Sequence, residues 1–316
     1  MAIQKVAIFG VSSTLIITIF LLTPSPASGN FGAPITAALH RAGFTITIIT
    51  RTDSTSTFPP HIPVIRTTYT LEDLTSALAG QDAVVCVVGY PGVGKQITMV
   101  DAAEAAGVKR FIVNDFGWGP NFRRMPEFSA IGAYRRAGWD HAKAKAERNP
   151  EFTWTGITSG NPIDWALKRF PLMGFDTSNC SAIIYDSGTE RFTGTTLEGI
   201  GQAVVGVLQN PEGTANRFVK VRSIMTCQND LLEAFQSATG RQWDVQRAST
   251  QTLIESGKSK FQEGTSSWIL ELVVAQLYEP GQARCVVASS RERSDADLLG
   301  IAEETPHLVV EKALRS

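Results

Sequence analysis

KVAIFG at Lys5–Gly10 and ASGNFG at Ala27–Gly32 are the two segments that decide the fold of this 316-residue chain. The first is typical of a short buried strand that ends in glycine. Without the sixteen residues Val11–Pro26, the two segments would join into a strand followed by G-x-x-G-x-x-G. Such a turn needs a helix and a second strand after it, and Pro34–Ala42 and Thr45–Thr50 fit those elements. The sequence therefore predicts a dinucleotide-binding turn that is interrupted by an inserted segment.

Each glycine of this pattern has a physical function. Gly10 permits the tight turn, Gly29 allows the backbone to approach a pyrophosphate, and Gly32 allows the helix to pack close to the sheet. The anion would lie at the helix N-terminus, where unpaired N–H groups and the helix dipole favour negative charge. The alternative is a glycine-rich turn with a purely structural role. The cofactor-binding residues predicted in this turn are Gly10, Ser28, Gly29, Asn30, Phe31 and Gly32.

The interrupting segment Val11–Pro26 has three interpretations. Its continuous apolar part, Leu15–Leu22, is shorter than the about 20 residues of a membrane-spanning helix, so a membrane anchor is disfavoured. A secretory signal cleaved near Ala27 would remove the first strand of the sheet. We therefore favour an insertion into an otherwise complete enzyme, as translated non-coding sequence would produce. Ile16–Leu22 could instead occupy the central strand position, but we predict that Lys5–Phe9 does so.

Composition excludes several function classes. The net charge of −1 and the 19% charged residues give no sign of a nucleic-acid or anionic membrane partner. The four cysteines lack CxxC spacing, which indicates reduced thiols of a cytoplasmic protein. The four histidines share no metal-ligand spacing, so we expect no metal. The expected partner is a small-molecule substrate, bound by a monomer or a homodimer.

Beyond the glycine turn, strands and helices alternate at regular spacing as far as strand Phe152–Ser159. This alternation predicts an α/β fold with a doubly wound parallel sheet, a Rossmann NAD(P)-binding domain over residues 1–158. A smaller substrate-side α/β region over residues 159–316 is expected to be interleaved with it. The elements predicted there are helices at Thr196–Leu208, Gln228–Thr239, Ser267–Tyr278 and Asp295–Ile301 and a strand at Phe218–Val221.

The residue at the end of the second strand decides between the two dinucleotides. An acidic residue there would bind the ribose 2′-hydroxyl of NAD, whereas an arginine accommodates the 2′-phosphate of NADP. Here the residue is Arg51, with the hydroxyl of Ser54 close behind it. The alternative is a solvated arginine at a strand end. The sequence thus favours NADPH or NADP⁺ as the cofactor.

A second glycine-rich segment, GYPGVGKQ at Gly89–Gln96, matches the phosphate loop of nucleoside triphosphatases up to its lysine. That loop needs Ser or Thr after the lysine to bind magnesium, and this chain has Gln96. We therefore reject a triphosphatase and expect Gly89 to line the dinucleotide site.

Three segments together resemble a known family: Arg51 after the glycine turn, GVKRFIVNDFG at Gly107–Gly117, and FTWTGITSGNPIDWAL at Phe152–Leu167. The chain is similar to the NmrA-like, isoflavone reductase-like group of atypical short-chain dehydrogenases, which includes phenylcoumaran benzylic ether reductases. Where the family usually has Ser-Glu-Phe-Gly, this chain has Asn114-Asp115-Phe116-Gly117.

The resemblance implies an NADPH-dependent reductase of a small aromatic or polycyclic secondary metabolite, with Asn114 and Phe116 at the cofactor. The family also contains regulators that bind the dinucleotide without turning it over, so a redox sensor is the alternative function. Asn161 and Asp164, which follow the last strand, are the expected substrate contacts.

The usual Tyr-x-x-x-Lys pair of short-chain dehydrogenases is absent, because none of the five tyrosines has a lysine four residues later. The resemblance implies instead a proton-donating lysine in the helix near Trp139–Arg148, with Lys143 and Lys145 as the candidates. An alternative alignment would place Arg135 or Arg136 there. The structural alternative is two solvated lysines on a polar helix.

Overall fold

The computed structural model describes residues 2–10, 31–89, 92–120 and 125–315. Its centre is a seven-stranded, all-parallel sheet in the order β11-β6-β5-β4-β1-β2-β3. The strands are β1 (Lys5–Gly10), β2 (Thr45–Arg51), β3 (Val64–Thr67), β4 (Ala83–Val87), β5 (Arg110–Ile112), β6 (Thr153–Thr158) and β11 (Arg217–Lys220).

Apolar side chains of the central strands alternate between two cores, one on each face of the sheet. Val6 and Ile8 of β1 point into a core with helices α1 and α6, whereas Ala7 and Phe9 point into a core with α2, α3 and α4. The helices are α1 (Gly32–Arg41), α2 (Leu71–Ala77), α3 (Gln96–Ala105), α4 (Ser129–Arg148) and α6 (Leu197–Gln209). The predicted doubly wound α/β fold is confirmed.

The C-terminal half adds two three-stranded sheets and a third apolar core. Their strands are β7 (Asn161–Pro162), β8 (Phe175–Asp176), β9 (Ser181–Tyr185), β10 (Phe192–Thr195), β12 (Ile224–Thr226) and β13 (Asp244–Ala248). The remaining helices are α5 (Ile163–Leu167), α7 (Pro211–Thr214), α8 (Gln228–Thr239), α9 (Thr250–Gln262), α10 (Trp268–Tyr278) and α11 (Pro306–Arg315). Strand β11 of this half joins the central sheet and α6 packs on one face of it, while the division at residue 158 stays a prediction.

The position of β1 decides between the two strand predictions for the N-terminus. Lys5–Gly10 pairs with β2 on one side and with β4 on the other. The prediction that Lys5–Phe9 forms the central strand is therefore confirmed. The interpretations of Val11–Pro26 concern a segment outside the described residues and stay predictions.

The predicted helix at Asp295–Ile301 is wrong, because this segment forms turns that cover the outer edge of β11. The backbone N–H of Asp295 donates to the carbonyl of Lys220, and its carboxylate accepts from the N–H of Lys220 at 2.7 Å. Arg217 pairs with the same carboxylate at 2.8 Å. These bonds satisfy the edge strand, and a helix at this place would not.

A search of the described helices for one that is both long and apolar enough to span a bilayer finds none.

Gly206 lets α6 lie directly on the turn at Leu299. A Cβ at this position would lie 2.5 Å from the Leu299 carbonyl oxygen and 2.6 Å from its Cα, both backbone atoms. We expect Gly206→Ala to lower the free energy of unfolding by roughly 1–3 kcal/mol, measured by urea denaturation, because the backbone must shift. Gly213→Ala is the control, since its Cβ would meet only the Leu298 side chain at 3.7 Å. An equal loss of stability in both variants would contradict the close contact.

Candidate cofactor-binding and active site

Gly10 and Gly32, the described residues at the two ends of the glycine turn, have open space around them. A Cβ added to Gly10, at the end of β1, or to Gly32, at the start of α1, would meet no atom within 4 Å. Among the described residues, no side chain caps the N-terminus of α1, and its first turn contains no acidic residue. The free N–H groups at this helix start therefore suit an anion. Ser28, Gly29 and Asn30 lie outside the described residues, and their predicted role stays a prediction.

Two phenylalanines lie together at the carboxyl-terminal edge of the sheet, where a doubly wound fold has its ligand crevice. Phe31, before α1, stacks on Phe116, after β5, with ring centroids 6.2 Å apart and an interplanar angle of 22°. Phe116 is buried and has a positive φ of 46°, which is uncommon for a residue with a side chain. The structure thus brings together the predicted residues that follow β1 and β5.

Asn114 joins four elements at the same edge. Its Nδ2 donates to the Val88 carbonyl at 2.7 Å, and its backbone carbonyl accepts from the Trp139 indole at 3.2 Å. Its N–H donates to Oε1 of Gln96 at 2.6 Å. Gln96 is fully buried, so the residue that departs from the triphosphatase loop has a structural role here. Gly89 follows β4 beside this cluster.

Two arginines lie near the ends of the neighbouring strands β2 and β3. Arg51 is half exposed, with Nη1 3.2 Å from the Asp53 carboxylate. Arg66, on β3, donates from Nη1 to the carbonyl of Ser54 at 2.7 Å. Arg66 was not among the residues predicted from the sequence. Its place near the end of a strand could have indicated it, because neighbouring parallel strands end at the same edge of the sheet.

Arg135 lies at the opposite side of the crevice, on the second turn of α4. Its Nη1 is 3.6 Å from the position that a Cβ on Gly117 would take, and Oδ1 of Asp115 is 3.5 Å from that position. The buried Asp115 carboxylate accepts from Gly119 N at 3.4 Å and from the Thr158 hydroxyl at 3.3 Å. Within the described part of the chain, Arg135 makes no ion pair.

The structure does not bring Lys143 or Lys145 to this edge. Helix α4 begins at Ser129, ten residues before the predicted start at Trp139, and Trp139 contacts the strand ends. Lys145 lies six residues further along, about 9 Å away at 1.5 Å per residue. Its ammonium contacts Glu104 at 2.7 Å and Asp101 at 2.9 Å, and these hydrogen bonds raise the pKa of Lys145.

Lys143 is a surface residue. Its side chain is 62% exposed and lies 4.0 Å from Glu147 on the same helix. A pair of this kind contributes little to stability because water screens it. The geometry of both lysines agrees with the structural alternative, and their catalytic role stays a prediction.

The predicted substrate residues are part of the C-terminal core. Asn161 is buried, with Nδ2 3.1 Å from the Met173 sulfur. Oδ1 of Asp164 accepts from the N–H of Leu197 at 3.0 Å and so holds the start of α6, while burial raises the pKa of Asp164. Ser159, missed by the sequence analysis, directly follows β6 and has a buried hydroxyl without a partner among the described residues.

Comparisons with known proteins agree with this geometry. A family model described as NAD(P)H-binding matches residues 27–211. The oxidoreductase poxI of Penicillium oxalicum is 71% identical over 294 residues, which cover 93% of this chain and 94% of the relative. A crystal structure of isoflavone reductase superposes with a TM-score of 0.73 at 15% identity, covering 98% and 99% of the two chains. The Escherichia coli NADPH-dependent quinone oxidoreductase QOR2, crystallised with NADPH, superposes with a TM-score of 0.64 at 16% identity, covering 98% and 100%.

Proposed function

The chain belongs to the NAD(P)H-binding, isoflavone reductase-like family of oxidoreductases, and on that premise we propose that it is an NADPH-dependent reductase of a small aromatic or polycyclic metabolite. The observation that carries the proposal is the distribution of cations along one edge of the sheet. Arg51 and Arg66 lie at the β2–β3 end, Gly10 and Gly32 lie in the middle, and Arg135 lies beyond β5.

The cofactor would be held by groups that the described residues leave accessible. The N-terminus of α1 with Gly10 and Gly32 would hold the pyrophosphate, and Arg51 and Arg66 would hold the 2′-phosphate. The stacked Phe31 and Phe116 would wall the crevice beside Gly89. When bound, the nicotinamide supplies a hydride to the substrate.

Arg135 suits the substrate end of the crevice. A guanidinium carries five N–H donors and keeps its protons at neutral pH. It can therefore stabilise negative charge that develops on a substrate oxygen, but it does not act as the proton donor. On this proposal Arg135 holds the oxyanion, and the proton comes from water. That role replaces the one proposed for Lys143 or Lys145, which lie further along α4.

A non-enzymatic NADP(H) sensor is the second candidate function. The observation that favours it is the absence of both lysines from the crevice, since a sensor needs no proton donor. The name oxidoreductase of the 71% identical relative favours the enzyme.

The experiment that tests the function combines binding and turnover. We expect purified protein to enhance NADPH fluorescence on titration and to oxidise NADPH with at least one member of a panel of quinones, aromatic enones and aryl ketones. Saturable NADPH binding without oxidation by any member would favour the sensor. Failure to bind either NADPH or NADP⁺ would overturn both candidates.

Arg135→Ala tests the oxyanion role. We expect kcat to fall at least tenfold while the Kd for NADPH stays within twofold, because the guanidinium would contact the substrate and not the adenosine end. Arg135→Lys should recover part of the activity. Lys143→Ala is the matched control on the same helix, and its kcat should be unchanged. If Lys143→Ala lost activity and Arg135→Ala did not, the assignment would be reversed.

A further inference from the structure

The connection between β2 and β3 leaves part of the sheet uncovered. Parallel strands are usually joined by a helix that packs on the sheet. Residues 52–63 contain no helix and pass beside α1 as turns and irregular backbone. A cavity of about 310 Å³ remains between this connection, the flank of α1 and the sheet. This volume lies at the low end of the range for small-molecule sites, roughly 300–1,000 Å³.

The cavity has an apolar interior and a cationic end. Ile8 and Ile48 of the sheet and Phe58 and Ile62 of the connection form the apolar walls. At the other end are His40 and Arg41, from the last turn of α1, and His61. The imidazoles of His40 and His61 lie with their centroids 4.8 Å apart.

Arg41 carries the formal positive charge at this end, and His40 and His61 add imidazole nitrogens that can donate hydrogen bonds. Glu198, on α6, lies within electrostatic range of Arg41 and offsets part of its charge. The acidic residues of the connection are limited to Asp53, which pairs with Arg51 near the cofactor edge. Among the described residues, no carboxylate lines the cavity. Two imidazoles and a guanidinium beside an apolar space therefore suit an anionic head group on an apolar body.

We propose that this cavity is a binding site for a small amphipathic monocarboxylate, with its apolar body against Ile8, Ile48 and Phe58 and its carboxylate at His40, Arg41 and His61. The site is separate from the proposed dinucleotide crevice, which crosses the carboxyl ends of the strands. The two meet only at Gly10 and Gly32, which line one end of the cavity. The inference stands whether or not the chain is a reductase.

Decanoate, used below its micellar concentration, is the probe, and its uncharged analogue decanol separates the two parts of the site. By isothermal titration calorimetry we expect one decanoate per chain. Changing His40, Arg41 and His61 together to Gln should weaken decanoate at least tenfold and leave decanol within twofold. Ala37→Phe, which fills the cavity from α1, should abolish binding of both.

Two controls keep the test specific. Ala105→Phe places the same ring on an exposed position of α3 and should leave decanoate binding unchanged. Arg51→Ala should also leave it unchanged, which distinguishes this site from the cofactor crevice. Circular dichroism of each variant confirms folding. Binding of many decanoate molecules per chain, or binding that Ala37→Phe does not reduce, would overturn the proposal.

Discussion

Changing both Arg51 and Arg66 to alanine is expected to weaken NADPH binding at least 100-fold while leaving the Kd for NADH within about threefold. Each arginine would make charge-assisted hydrogen bonds to the 2′-phosphate, worth roughly 1.5–3 kcal/mol apiece. Arg51 is half exposed, so its share lies near the lower value. NADH lacks the phosphate and loses nothing when the arginines are removed. Fluorescence titration with the two cofactors measures both constants.

Each arginine also needs a separate variant, because Arg66 was found only in the structure. Arg66→Ala alone should lose at least tenfold in NADPH affinity. Arg148→Ala, an exposed arginine at the far end of α4, is the control and should bind NADPH normally. An equal loss of affinity for NADPH and NADH in the double variant would show that the arginines support the fold of this edge and do not bind the 2′-phosphate.

Arg110→Ala is expected to cause the largest loss of stability, roughly 2–4 kcal/mol in the free energy of unfolding. The Arg110 guanidinium is almost fully buried and joins β5 to β6 and to α7, about a hundred residues away. It donates to the hydroxyls of Thr153 at 2.9 Å, Thr155 at 3.0 Å and Thr214 at 2.9 Å and to the Pro211 carbonyl. Alanine removes these bonds and leaves a cavity. Urea denaturation measures the effect.

Arg110→Met separates packing from hydrogen bonding. Burial without a carboxylate partner lowers the pKa of Arg110 to about 10, so the charged form is held at a cost in desolvation. Methionine fills much of the space and removes that cost, so we expect it to lose less stability than alanine. Arg148→Ala again provides the exposed control. A methionine variant as unstable as the alanine variant would show that the hydrogen bonds outweigh both packing and desolvation.

Most of the central sheet could be predicted from local sequence patterns. The apolar strands can be predicted because strand and helix periodicities are properties of neighbouring residues. The C-terminal half was harder to predict. Its strands are two to five residues long, which is too short to show a strand's two-residue hydrophobic period. In addition, Asp295 contacts β11 through a hydrogen bond between residues that are 75 apart in the sequence.

The candidate site divides in the same way. The positions of Gly10, Gly32 and Arg51 at the ends of β1, α1 and β2 could be predicted because these elements form one strand–turn–helix–strand unit, and their cofactor roles stay predictions. Arg135, Lys143 and Lys145 could not be ranked as catalytic candidates, because the start of α4 at Ser129 depends on packing against β5 and α3.

The sequence by itself determined the α/β class, the central place of β1 and the arginine at the end of β2. These depend on residues close together in the chain, whose conformations are limited by backbone geometry and hydrophobic periodicity. Only the tertiary structure decided that Arg66 bonds the Ser54 carbonyl, that Lys145 pairs with Asp101 and Glu104, and that Arg135 lies beside Gly117. Those contacts depend on strand order and helix register, which the packing of distant segments sets.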